Sequence, residues 1–206
     1  EGVLCPGFIN AHCHLELSHL KGAIEQQKGL LYFISKIKKR NDFTKDSVLY
    51  AIEKAEEQML RHGVVAVGDV CNTLDTLSQK QKGNLKYYSF IEAFCVVNSQ
   101  INQTIRNAIN LRNQFRMKGL KATISPHAPY STQWHIGQAA VTAAQNNQAT
   151  CRRSRSTTYV TPLAMHLAES SFEEEFLHNQ TGPFRTLFND LGIWPEHAPK
   201  LATTAD

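Results

Sequence analysis

The sequence predicts an α/β fold in which parallel strands alternate with helices, as in a partial (β/α)8 TIM barrel. Three observations predict it. Strand-like runs are followed by helical patterns five times along the chain. Those runs are apolar on both faces, as buried parallel strands are. The residues able to carry chemistry stand where the runs end, the position of catalytic groups in such barrels. A closed eight-unit barrel needs roughly 250 residues. The 206 residues here therefore imply about the first five β/α units of an unfinished barrel, or a smaller open sheet.

The strands expected are Val3 to His14, Val64 to Val70, Lys86 to Phe94, Lys121 to Ser125 and Pro162 to Leu167. The first helix, Lys45 to Arg61, puts Val48, Ile52, Ala55 and Met59 on one stripe, and Gly63 follows where a left-handed residue ends a helix. Asn98 to Lys118 repeats the design with Ile101, Ile105, Ala108 and Phe115, stopped by Gly119. Thr132 to Asn147 carries Ile136, Ala140 and Ala143. Ser170 and Glu173 have capping-box spacing at the start of the next helix, where Glu174 and Glu175 add charge that the helix dipole favours. Pro183 opens a last helix bearing Phe184, Leu187, Phe188 and Leu191, which Gly192 closes.

Residues 149–161, ATCRRSRSTTYVT, break the alternation. An αβ connection usually takes about 2 to 6 residues. The stretch is an inert surface loop, a basic binding loop, or an untrimmed or mistranslated segment, since Pro162 would follow Gln148 naturally.

Composition narrows the function classes. A net charge of +4 is too slight to argue for nucleic acid. No window approaches the roughly 18 uncharged apolar residues of a spanning helix, so no membrane partner is expected. Cysteines 5, 13, 71, 95 and 151 are odd in number, widely spread and without a CxxC, which fits a reducing, cytoplasmic setting. The chain opens on Glu1 rather than Met, so a preceding segment is compatible with it.

The sharpest motif is PGFINAHCHLE, residues 6–16. Residues two apart in a strand face the same side, so His12 and His14 can grip one metal ion while Cys13 faces away. Far downstream, His166 ends the fifth strand and Glu169 follows as the chain turns into a helix. A third imidazole and a carboxylate would complete the minimum for metal-assisted hydrolysis: an ion to acidify water and a Glu to move the proton. Alternatively, Glu169 is one more acid near a helix N-terminus. His127, between Pro126 and Pro129, sits on a stiff loop after the fourth strand, suited to touching a ligand or serving as a rigid exposed turn. Asp69 and Glu92, at the ends of the second and third strands, could also line the mouth. His19, His62, His135, His178 and His197 read as surface residues.

In this order, PGFINAHCHLE, GDV, SPHAPYS and HLAESSFEEEFL resemble the amidohydrolase superfamily, and more closely its aminohydrolase and chlorohydrolase branch. That branch includes S-adenosylhomocysteine and methylthioadenosine deaminases, aminodeoxyfutalosine deaminase, cytosine deaminase-like enzymes and triazine chlorohydrolases. The resemblance implies that His12, His14 and His166 bind one divalent metal, usually zinc or iron. It further implies that Glu169 shuttles protons and that His127 touches a small heterocyclic substrate. The implied reaction is hydrolysis of a carbon-nitrogen bond outside peptides, chiefly deamination of a purine-like or other N-heterocycle, with loss of chloride from a triazine-like ring as the alternative.

The family also takes a His from strand six and an Asp from strand eight. Neither has a counterpart here, since His197 precedes any sixth strand and Asp206 is terminal. Residues 1–206 thus read as an incomplete hydrolase barrel lacking strands six to eight and most of the small β-sandwich, of which residues 1–5 could be a remnant. The competing expectation is a non-catalytic, aggregation-prone remnant. A full-length parent has room to be a homo-oligomer.

Overall fold

A computed structural model of the chain describes residues 2–132, 135–142 and 161–193. The elements are β1 (Phe8–Cys13), α1 (Leu30–Lys36), α2 (Lys45–Arg61), β2 (Val64–Cys71), α3 (Leu77–Gln81), β3 (Lys86–Ala93), α4 (Ile101–Met117), β4 (Lys121–Pro126), α5 (residues 135–142), α6 (Ser171–Asn179) and α7 (Gly182–Asp190). The strands form one sheet in the order β1-β2-β3-β4. β1 pairs parallel with β2, and β2 with β3, as the alternation of strand and helix requires.

The chain divides into two compact units. One comprises Glu1–Gln26, Lys36–Ile91 and Leu111–Ala122; the other comprises Gln27–Ser35, Glu92–Asn110 and Thr123–Asp206. In the first unit, Val48 and Ile52 of α2 pack with Leu15, Val67, Leu85 and Tyr87, the core implied by the i, i+4 stripe. Thr44 caps α2 by accepting from the Ser47 N–H, and Gly63 follows at φ +78°, a left-handed conformation that glycine adopts without strain. Gly68 lets β1 and β2 approach. A Cβ there would lie 2.4 Å from the Ala11 carbonyl oxygen.

The second unit has its own core, formed by Ala128, Tyr130, Phe176, Leu177, Phe184 and Phe188. The Ser170 side chain accepts from the Glu173 N–H and so starts α6.

Two expectations need correction. β1 begins at Phe8, not Val3. Pro6 has no N–H to give a ladder, and Val3 and Leu4 are exposed. The fifth strand is also absent, because residues 161–167 carry no regular ladder. The Ala164 N–H bonds the Ser125 side chain and the His166 N–H bonds the His127 carbonyl, while Pro126 and Pro162 contribute no N–H. Residues 149–160 of the atypical segment, His197 and Asp206 lie outside the described residues. No helix among the described residues is long and apolar enough to cross a membrane.

Candidate functional site

β1 carries His12 near its C-terminal end, and His14 follows one residue beyond it, at the two-residue spacing of strand alternation. Their rings stand edge to face with centroids 5.1 Å apart. The β1–β2 register shifts between Asn10 and Cys13, so the ladder is irregular where the two histidines project. Asp69, buried at the end of β2, accepts the Leu15 N–H at 2.8 Å, one residue beyond His14.

In the second unit, Glu92, His127 and His166 have ligand atoms that all lie within 4.8 Å of one another. The Glu92 carboxylate meets His166 Nε2 at 3.1 Å, and Glu169 meets Nδ1 at 3.2 Å. The hydrogen bond to Glu92 chiefly raises His166 above the usual imidazole value, with Glu169 adding to the effect. Burial lowers His127, whose Nδ1 bonds the Ser131 hydroxyl. Glu169 reaches back to His166 because Ala168 turns the chain at φ +55°, a left-handed conformation that costs a non-glycine residue roughly 1–2 kcal/mol. The Glu169 N–H is held by the buried Glu173 carboxylate at 2.8 Å.

His127, His166 and Glu169 thus come together, joined by Glu92, which the sequence marked only as a strand-end acid. Ser131, Glu173, Glu16 and Lys80 were not anticipated. Of these, Ser131 and Glu173 had a readable signal: the former lies four residues beyond His127, and the latter holds the capping-box position. His19 was expected at the surface. It is instead half-buried against Phe43, with both ring nitrogens out of solvent. The donor types suit a divalent cation such as zinc, since paired imidazoles stand at the end of β1 and just beyond it, and two imidazoles with a carboxylate stand in the second unit.

The family model for the amidohydrolase family matches residues 3–182. The chain belongs to the amidohydrolase family. Among curated relatives of this amidohydrolase, adenosine deaminase of Helicobacter pylori is 25% identical over 192 residues, covering 91% of this chain and 43% of that protein. Aminodeoxyfutalosine deaminase of Nitratiruptor is 22% identical over 194 residues, covering 93% of this chain and 45% of that protein. The chain therefore spans less than half the length of these relatives. Among solved structures, Helicobacter pylori aminofutalosine deaminase in complex with methylthio-coformycin superimposes with a TM-score of 0.74 at 24% identity, covering 89% of this chain and 42% of that one. A mutant of atrazine chlorohydrolase TrzN from Arthrobacter aurescens, complexed with zinc and atraton, gives a TM-score of 0.63 at 14% identity, with coverage of 89% and 46%. Those likenesses place the four-stranded sheet as part of the same α/β barrel.

Proposed function

We propose that the protein to which this chain belongs is a metal-dependent hydrolase that deaminates a purine-like or related N-heterocycle in the cytoplasm. The observation that carries the reading is the junction of His166 with Glu92 and Glu169 beside His127, in a family whose relatives include deaminases. His12, His14 and His166 are the residues proposed to hold one divalent ion, zinc or iron. When bound, that ion supplies a water acidified enough to attack at neutral pH.

The chain's own residues handle protons and orientation. Glu169 takes the proton released by the attacking water and delivers it to the ring nitrogen next to the reacting carbon; it then carries the proton of the newly added hydroxyl to the amine, so that the carbon-nitrogen bond breaks, ammonia leaves and the carbonyl forms. Glu173, bound to the Glu169 N–H, fixes where that carboxylate begins its reach. His127, with Nδ1 engaged by Ser131, turns Nε2 toward the heterocycle and orients it.

Ammonia release from adenosine and from aminodeoxyfutalosine, measured on the whole protein, tests the reading. His166→Ala is expected to abolish turnover and lower metal content, whereas Glu169→Gln abolishes turnover with metal retained. Full activity in either variant overturns the assignment. Chloride release from a chlorotriazine without ammonia release would reassign the leaving group.

A further inference from the structure

The first unit buries a lysine completely. Lys80 of α3 has no exposed side-chain surface, and its Nζ lies 2.6 Å from Asp69 Oδ2, 2.8 Å from Ser89 Oγ and 3.5 Å from Cys71 Sγ. The Phe115 and Tyr87 rings stand 4.9 and 5.4 Å from the ammonium. All three of its protons thus have acceptors. Taking an ammonium out of water is costly, and a buried ion pair seldom stabilises a fold more than apolar residues of the same size would. Stability alone does not explain why this position is a lysine.

What the pair holds does explain it. Asp69 uses one oxygen for Lys80 and the other for the Leu15 N–H, directly after His14. In the opposite direction, buried Glu16 accepts from the Asn72 N–H at 3.0 Å, the Thr73 N–H at 2.9 Å and the Thr73 hydroxyl at 2.8 Å. A carboxylate from the end of β2 therefore grips the backbone after β1, and a carboxylate after β1 grips the backbone after β2. This crossed pair lies just beyond the stretch where the β1–β2 ladder slips. The ladder resumes only at Cys13, so side chains share in fixing the aim of His12 and His14.

We propose that Asp69, held by Lys80, and Glu16 are positioning residues that aim His12 and His14 at their metal. The inference rests on the reading of these two histidines as metal ligands. Groups that orient ligands in this way typically change metal affinity about 10- to 100-fold when removed.

The test compares two uncharged double variants by zinc titration against a chromophoric chelator and by the visible absorption of the cobalt(II) form. D69N/K80M keeps an acceptor for the Leu15 N–H, and D69L/K80M does not. D69N/K80M, which keeps the acceptor for Leu15 but loses the lysine that holds it, is expected to bind zinc more tightly than D69L/K80M and to keep more of the parent's cobalt spectrum. D69L/K80M is expected to bind about 10- to 100-fold more weakly than the parent, with an altered spectrum. Parent-like affinity and spectrum in D69L/K80M, while His12→Ala loses the metal, overturns the clamp alone. Parent-like binding in His12→Ala overturns the ligand reading and the clamp with it. If D69L/K80M does not fold, Glu16→Gln and Glu16→Leu decide: a deficit in the Leu variant that the Gln variant rescues supports the clamp, and equal binding by both overturns it.

Discussion

Glu56 is 1% exposed, and its carboxylate accepts from Gln79 Nε2 at 2.7 Å, Asn84 Nδ2 at 2.9 Å and the Tyr87 hydroxyl at 2.6 Å. An unsatisfied buried polar group costs about 1–3 kcal/mol, so Glu56→Ala, which strands three donors, is expected to cost about 3 kcal/mol or more. Urea unfolding measures it, and a loss below about 1 kcal/mol would show that the donors find other partners. The Lys82–Glu53 pair at 2.7 Å makes the contrast. It is exposed, and Lys82→Ala is expected to leave the unfolding curve in place. Cysteine reactivity follows the same logic of burial. Burial pushes the Cys71 thiol up to about 12, so it stays protonated and unreactive at pH 8. Under native alkylation followed by peptide mass mapping, Cys5, which is exposed, should label while Cys71 stays unmodified until denaturant is added. Equal labelling of the two would refute the burial argument.

At the scale of elements, helices with a periodic apolar stripe and a cap were legible. α2 runs over the expected residues because Val48 and Ile52 recur on one face and Thr44 precedes them. Thr44→Ala removes that cap and is expected to cost about 1 kcal/mol, again by urea unfolding. An unchanged midpoint would show that water satisfies the freed Ser47 N–H equally well. α3 was not legible, since LSQKQ is too short for periodicity and its lysine reads as a surface residue. Only tertiary contact turns Lys80 inward. The apolar run at 162–167 reads as a buried strand, yet Leu163, Met165 and Leu167 are exposed, and prolines on both sides of the pairing leave it without a ladder. His12 and His14, at and just beyond the end of β1, were legible because strand alternation is a local rule. Glu16 and Asp69 were not legible as a crossed clamp, because they meet partners more than fifty residues away.

At the scale of the whole molecule, exposed apolar surface sets solution behaviour. β1 stands at one end of the strand order, and Phe8 and Ile9 on it are 58% and 71% exposed. Val65 on β2 is half exposed as well. An edge strand with an uncovered apolar side is a template for pairing with another chain, and a charged side chain on such an edge opposes it. The 206-residue chain is therefore expected to self-associate in a concentration-dependent way, and Ile9→Lys is expected to reduce that association severalfold at equal concentration. Met117→Lys tests whether any added charge would do the same. Met117 is 84% exposed at the end of α4 and is not part of β1, so this variant should associate like the parent if the contact runs through β1. Static light scattering over a concentration series distinguishes the cases. If Ile9→Lys scatters like the parent, association does not run through β1. If both lysine variants reduce it alike, net charge and not the strand edge governs the contact.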